Sequence, residues 1–191
     1  MAGKQAKVLT SDHIGDLLFY AEQSRHPDRN RAIVLLSVKA GLRAGEIAKL
    51  TWPMVLDANG GVGSLIELHD NAAKKRSGRR IPIHPDLCTA LERVTSVSSR
   101  RGHVIKSERG SGMTPHSIVV WFDRAYSMLE LNGCSSHSGR RTFITRAARL
   151  VHQAGGSLRD VQLLAGHRSI QTTERYIDGD SDAQRRLISL V

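Results

Sequence analysis

Apolar side chains recur every three or four residues along much of the chain, which is the spacing of amphipathic helices. The first stripe follows a Thr-Ser pair that can cap a helix, and it consists of Ile14, Leu17, Leu18 and Ala21. The next segment, RAIVLLSVKAG, is almost entirely apolar. This predicts a buried helix that ends near Gly41, after a loop at residues 24–30.

The remaining segments divide into helices and a few short strands. Helix signals, including Pro85 at a helix start and Thr114-Pro115 as a cap, cover residues 42–52, 85–94, 116–131, 138–153, 158–166, 169–177 and 182–191. Alternating or β-branched runs predict strands at 64–70, 79–84 and 103–107. The pattern is therefore mostly helical with a small antiparallel sheet, an α+β class.

Composition limits the class of protein further. The 191 residues suit one domain, and 40% hydrophobic residues are enough for a core. The formal net charge is +10, with basic clusters at 74–80, 100–101 and 140–149. Such clusters favour a polyanionic partner, nucleic acid before membrane, although charge alone fits a solvated basic face equally well.

Several other classes are disfavoured. Cys88 and Cys134 are far apart and match neither a zinc pattern nor a disulfide framework. No apolar run reaches the roughly 18 residues of a transmembrane helix, and the basic N-terminus has no apolar secretory core. We expect a cytoplasmic protein with no membrane contact.

A set of polar residues lies where the predicted elements begin and end. Each alone has a bland explanation: a basic residue is usually a solvated surface residue, and a tyrosine near the C-terminus is usually half-buried core. Their order and local settings together are much less expected by chance. The set is Arg43, Lys74, His137, Arg140, His167 and Tyr176.

At these residues the sequence resembles the tyrosine recombinases, also called lambda-type or phage-type integrases. GLRAGEIAKL is similar to the first-arginine box of the family, and KKRSGRRIPI to its β-hairpin lysine segment. HSGRRTF resembles the H-x-L-R-H-T-F box, and LLAGHRSIQTTERYI the L-G-H-…-T-…-Y box. Two positions depart from the pattern: Gly139 replaces a usual Leu, and Arg141 replaces a common His.

The resemblance implies the catalytic-domain fold of this family and DNA cleavage by transesterification. Tyr176 would attack a phosphodiester, form a 3′-phosphotyrosine and free a 5′-hydroxyl. Arg43 and Arg140 would stabilise the charge that grows on the phosphoryl oxygens. His137 would be the general base and His167 a hydrogen-bond donor to the phosphate. Because the bond energy is kept in the covalent link, we expect no metal and no other cofactor.

The leaving 5′-oxygen needs a proton, and the resemblance assigns this task to a lysine of the hairpin. Counting back from Pro82 makes Lys74 that residue, with Lys75 as the alternative. Glu46, three positions from Arg43, is near enough to orient it. For five other basic residues we expect contact with the DNA phosphates: Lys75, Arg76, Arg79, Arg80 and Arg141.

The resemblance also sets the expected domain limits and partners. We expect a basic tail at 1–9, a catalytic domain at 10–180 and a tail helix at 181–191. No N-terminal core-binding domain is expected, which fits a short natural recombinase or an excised catalytic domain. The partner would be double-stranded DNA, with a monomer in its absence and a tetramer on paired sites. The tail would pack on a neighbouring protomer or, alternatively, on its own domain.

Two other functions remain open. One is an inactive DNA-binding module of the same fold, which would have lost a catalytic position, whereas all are present. The other is a type IB topoisomerase, which shares the chemistry but relaxes DNA without a partner site. The short segment after Tyr176 favours a recombinase. Four aromatic residues are expected in the core rather than in the site: Trp52, Trp121, Phe122 and Phe143.

Overall fold

Helices dominate the structure, as the apolar pattern predicts. The computed structural model describes residues 6–73, 77–97 and 100–176, and residues 185, 188 and 189. The helices within them are α1 (Ser11–Glu22), α2 (Pro27–Val38), α3 (Ala44–Lys49), α4 (Pro85–Val97), α5 (Pro115–Met128), α6 (Ser138–Leu150), α7 (Leu158–Ala165) and α8 (Ile170–Glu174). A short 3-10 helix (Trp52–Met54) and two strands, β1 (Leu65–Leu68) and β2 (Arg79–Pro82), complete them. The α+β prediction is confirmed.

Helix α2 lies at the centre of the core. Eight of its twelve residues are buried, and it contacts α1, α3, α4 and α6. It begins at Pro27, inside the segment that the sequence predicted as a loop. Proline suits a first helical position because the N–H that it lacks would have no helical partner there.

The predicted starts of α3 to α8 agree with the structure within two residues, whereas the predicted ends of α3, α4, α5, α6 and α8 are each wrong by three residues. The side chains of Thr10 and Thr114 accept hydrogen bonds from backbone N–H groups three residues later, each at 3.1 Å. Helix α7 ends at Gly166 in the left-handed conformation, with φ 64°. Helix α5 ends at Met128, three residues earlier than predicted, and Glu130 has a positive φ of 53°, which a continuing helix does not allow.

The sheet is smaller than predicted. Strands β1 and β2 pair antiparallel, with Leu68 opposite Arg79. The predicted strand at 103–107 does not form, because its two ends make isolated bridges to different partners, Thr51↔His103 and Lys106↔Gly112. The segment that joins β1 to β2 includes residues 74–76, which lie outside the described residues, as does most of the predicted tail helix.

The apolar residues form two clusters of unequal size. The large cluster contains residues from helices α1, α2, α3, α4 and α5 and from both strands. Trp52 and Phe122 are fully buried in it, as expected, and Trp121 is partly buried against it. The small one consists of Ile144, Ala148, Val161 and Ala165 from α6 and α7, with Phe143 and Tyr176 packed against them. No helix in the described part of the chain is long and apolar enough to cross a bilayer.

Candidate active site

Arg43 begins the site at the start of α3. It is the N-cap residue of this helix, and Glu46 occupies the third helical position. The Glu46 carboxylate accepts hydrogen bonds from the Arg43 backbone N–H at 3.0 Å and from Nη1 of its guanidinium at 2.8 Å. Both the backbone and the side chain of Arg43 are therefore held by one acidic residue.

Arg79, one of the predicted phosphate contacts, shares the same carboxylate. Its side chain is only 5% exposed. Nη1 and Nη2 donate to the two oxygens of Glu46 at 3.1 and 3.0 Å, and Nε donates to the carbonyl of Leu164 at 2.8 Å. Three of its five N–H groups therefore bond to other parts of the protein, and its phosphate contact stays a prediction.

Glu46 is a buried carboxylate between two arginines. Burial alone would raise its pKa, but the hydrogen bonds and charge of Arg79, together with those of Arg43, outweigh burial and lower the pKa to about 2. The group is therefore ionised at neutral pH. Two guanidinium groups around one carboxylate leave an excess positive charge beside the cleft.

Arg140, on α6, is a buried cation of the site, at 3% exposed. Its Nη1 donates to the carbonyl of Gly41 at 2.6 Å, and its Nη2 to that of Ala165 at 2.7 Å. Nη2 also lies 3.1 Å from Nε2 of His167. Burial and the nearby charge of Arg43 lower the pKa of Arg140 to about 9, so it remains a cation at neutral pH.

His167 follows the left-handed Gly166 that ends α7. Its Nδ1 lies 2.9 Å from the hydroxyl of the buried Thr173. Because Arg140 can only donate, Nε2 of His167 accepts, and the ring proton therefore belongs on Nδ1, facing Thr173. Burial, and then the charge of Arg140, lower the pKa of His167 to about 4, so the ring is neutral.

Tyr176 follows α8 and is half-buried against the small cluster. Its ring stacks on that of His167, with 5.6 Å between centroids and 25° between planes. The Arg141 guanidinium lies 5.7 Å from the centroid of the same ring. The Tyr176 backbone N–H donates to the backbone carbonyl of Thr173 at 3.0 Å. The Thr145 hydroxyl donates to the backbone carbonyl of Tyr176 at 3.5 Å.

One cleft of about 520 Å³ collects the predicted residues. Its wall includes five of the six predicted catalytic residues and one predicted DNA contact: Arg43, His137, Arg140, His167, Tyr176 and Arg141. His137 is exposed, at the N-cap of α6. Lys74, Lys75 and Arg76 lie outside the described residues, so their predicted roles remain predictions.

Arg80 differs from its neighbour Arg79. Its side chain is 74% exposed and pairs across the hairpin with Glu67 at 3.0 Å. The sequence contained a signal for this difference, because side chains alternate along a strand and Ile81 of β2 is buried. Arg79 lies two positions before Ile81 and must face the interior with it, whereas Arg80 faces outwards.

Thr173, Gly41 and Gly139 are contributors that the sequence prediction missed or interpreted differently. A Cβ at Gly41, which the sequence predicted only as a helix end, would overlap the ring of Phe143. A Cβ at Gly139 would overlap the Ser37 hydroxyl and lie 2.9 Å from the Ser37 Cβ. The glycine that departs from the family pattern therefore allows α6, which carries Arg140, to approach α2 closely.

Comparison with known proteins identifies the family. The model of the phage integrase family matches residues 7–182. The tyrosine recombinase XerC of Myxococcus xanthus is 29% identical over 162 residues, which cover 78% of this chain and 49% of the relative. XerC of Herpetosiphon aurantiacus is 26% identical and is matched over 92% of this chain and 57% of its own length. The chain spans about half the length of the curated relatives it matches.

Solved structures agree at the level of the fold. The Tn1549 transposon integrase in complex with transposon right-end DNA superposes with a TM-score of 0.76 at 18% identity, over 100% of this chain and 67% of that one. The XerA recombinase gives 0.74 at 22% identity, over 96% and 64%. A lambda integrase dimer bound to a COC′ core site gives 0.72 at 20%, over 93% and 49%. Together with the family match, the fold and the cleft show that this chain belongs to the phage integrase family, the tyrosine recombinases.

Proposed function

We propose that this chain is the catalytic part of a site-specific DNA recombinase that cuts and rejoins strands through a 3′-phosphotyrosine. The observation that carries the proposal is the shared cleft of Arg43, Arg140, His167 and Tyr176. In cleavage, the Tyr176 oxygen bonds to phosphorus, the bond to the 5′-oxygen breaks and that oxygen takes up a proton. Rejoining runs the same steps in reverse with the 5′-hydroxyl of a partner strand.

The two arginines stabilise the phosphoryl oxygens as charge grows on them. Arg140 has five N–H groups, and its bonds to Gly41, Ala165 and His167 use three of them among the described residues. The other two can serve the phosphate. Fixed donors of this kind need no rearrangement during the reaction, which is the main source of their catalytic value.

The two histidines divide the remaining proton and hydrogen-bond work. His137, exposed at the cleft wall, takes the proton of the Tyr176 hydroxyl as general base. His167 donates to the phosphate after its ring proton changes nitrogen. Thr173 permits this change at little cost, because a hydroxyl can accept from Nδ1–H or donate to bare Nδ1.

The partner of the reaction is double-stranded DNA, and the relatives support this choice. The Tn1549 and lambda integrases were both solved on DNA, and the net charge of +10 suits a polyanion. We propose a cytoplasmic protein that is monomeric without DNA and forms a tetramer on paired sites, with the tail at 181–191 packing on a neighbour. Lys75, Arg76, Arg80 and Arg141 would contact phosphates.

The nucleophile is tested by trapping the covalent complex. On a nicked suicide substrate, which loses the leaving strand, the wild-type protein should form a DNA-linked band in a denaturing gel. Tyr176→Phe should form none and should still bind DNA, since one hydroxyl adds little to a phosphate-dominated interface. Trapped DNA with Tyr176→Phe would make another tyrosine the nucleophile, and Tyr126→Phe is the matched control.

The role of Lys74 is tested by changing the leaving group. A 5′-bridging sulfur leaves without a proton, so Lys74→Ala should cleave this substrate nearly as fast as wild type and fail on ordinary DNA. Arg43→Ala and Arg140→Ala should fail on both, because they act on the non-bridging oxygens. Rescue of Lys75→Ala instead would move the assignment by one residue.

A further inference from the structure

We propose that Arg79 is a positioning residue for the reaction: it keeps Glu46 from drawing Arg43 away from the scissile phosphate. The inference rests on the proposed function. It starts from the setting of Arg79, since the side chain of this hairpin arginine is only 5% exposed and three of its five N–H groups bond to other parts of the protein. Its neighbour Arg80 is 74% exposed on the same strand.

The contacts of Arg79 join three elements that carry active-site residues. Its forked guanidinium holds Glu46 of α3, the helix that starts at Arg43. Its Nε holds the carbonyl of Leu164 in the last turn of α7, three residues before His167. Arg79 itself starts β2, five positions after Lys74. One side chain therefore fixes the relative positions of the hairpin and of two walls of the cleft.

Gly166 provides the space for this arrangement. A Cβ at Gly166 would lie 3.0 Å from both Cδ and Nη1 of Arg79. The same glycine has a left-handed φ of 64°, which side chains rarely adopt. The turn before His167 therefore packs directly against the Arg79 side chain, and a larger residue at position 166 would displace one or the other.

The electrostatic consequence concerns Arg43. Glu46 accepts four hydrogen bonds, two from Arg79 and two from Arg43, and only one of these uses the Arg43 guanidinium. Without Arg79, the full charge of a buried carboxylate would act on Arg43 alone. Arg43 would then be held more tightly by Glu46 and would carry less effective positive charge to the phosphate.

This role predicts a dependence on the charge of the phosphate that a purely structural role does not. A methylphosphonate at the scissile position replaces one charged oxygen by a methyl group and removes the charge that the arginines stabilise. Cleavage of ordinary DNA by Arg79→Met should fall about 100-fold, the scale on which loss of one preorganised donor acts. Cleavage of the methylphosphonate should fall less than about fivefold, as for Arg43→Ala.

The control is Arg25→Met, which removes an arginine whose side chain is 78% exposed and paired with Glu108, and which should cleave both substrates at rates close to wild type. Arg79→Lys keeps the charge beside Glu46 but loses the fork, so it should show a smaller loss with the same substrate dependence. In an Arg43→Ala background, Arg79→Met should add little. Thermal melting of each variant shows whether it is folded before cleavage is measured.

Equal losses on the two substrates, additive losses with Arg43→Ala, or no loss at all would overturn the proposal. Two Arg79 variants that both fail to fold would also overturn it, since Arg79 would then serve stability alone. A wild-type protein that forms no covalent complex with either substrate would instead refute the proposed function. The two failures are therefore distinguishable in one experiment.

Discussion

The two sides of the cleft are built differently. On the arginine side, Arg140 is 3% exposed and bound to carbonyls of two separate elements, and Arg43 is fixed by Glu46. Helix α3, which begins after Arg43, belongs to the large core. On the tyrosine side, Tyr176 is half-buried, stacks on His167 and packs against the small cluster of four buried apolar residues of α6 and α7.

The difference matches what each side must do in the proposed reaction. Groups that stabilise a transition-state charge work best when they are fixed before the substrate arrives. A nucleophile must approach phosphorus, bond to it and leave again, so firm anchoring would oppose its task. We therefore expect substitutions on the arginine side to affect stability most, and those on the tyrosine side to affect the reaction with smaller effects on stability.

The sharpest way to break the arginine side is Glu46→Leu. The substitution leaves Arg43 and Arg79 buried or half-buried without their shared partner. We expect a loss of about 3–5 kcal/mol in the free energy of unfolding, as for other buried pairs that lose one member. Urea unfolding followed by circular dichroism measures it.

Glu67→Leu is the matched control for Glu46→Leu. Glu67 pairs with Arg80 on the exposed face of the same hairpin, and such pairs contribute less than about 1 kcal/mol. Equal losses in the free energy of unfolding would show that the buried ion pairs of Glu46 stabilise the fold no more than the exposed pair of Glu67.

A second test changes the contact between α2 and α6, the helix that carries Arg140. Gly139→Ala adds a Cβ that overlaps the Ser37 hydroxyl, and we expect overpacking to cost about 1–3 kcal/mol. Ser37→Gly removes the obstructing side chain, so the double variant should lose less than the sum of the two single ones. Gly15→Ala in α1 is the control, because nothing lies within 4 Å of its Cβ and alanine favours a helix. Additive losses would mean that α6 does not need this close approach.

The sequence was most informative where local chemistry decides the structure. Thr10, Pro85, Thr114 and Gly166 begin or end helices as predicted, since caps, prolines and left-handed glycines act within a few residues. The motif spacing also selected the residues that line the cleft. Both kinds of signal are contained in short segments.

It was least informative where contacts join distant segments. Arg79 looked like one more member of a basic run, and only pairing of β2 with β1 turns it towards Glu46, 33 positions earlier. Gly139 seemed a minor departure from a motif until Ser37, on another helix, was found against it. The segment 103–107 has the composition of a strand but finds no continuous partner. Composition does not specify such partners.

On the tyrosine side, Thr173→Val tests whether the tautomer of His167 matters. Valine has nearly the same shape but cannot hydrogen-bond to Nδ1, so Nδ1 loses the hydroxyl that serves it in either tautomer. We expect cleavage about tenfold slower, with stability reduced by about 1–2 kcal/mol. Thr173→Ser keeps the hydroxyl and should restore the cleavage rate, whereas Thr172→Val, on the exposed neighbour, should change neither quantity. Cleavage by Thr173→Val at the wild-type rate would show that the Thr173 hydroxyl has no part in the reaction.

The smallest effect is a pH dependence of stability that arises from His167. Its pKa is lowered from 6.5 to about 4 in the folded protein, so between these values the unfolded chain binds the proton more readily. Stability should therefore fall as the pH decreases from about 6.5 to about 4 and should not fall further on account of this group. Because the ring is half-exposed, we expect the loss to be on the order of 1 kcal/mol. His167→Gln should flatten the dependence in this window, whereas His152→Gln, at an exposed histidine, should leave it unchanged. Unfolding free energies measured at intervals from pH 7 to pH 4 would decide, and identical slopes for wild type and His167→Gln would show that Arg140 and burial do not hold His167 neutral.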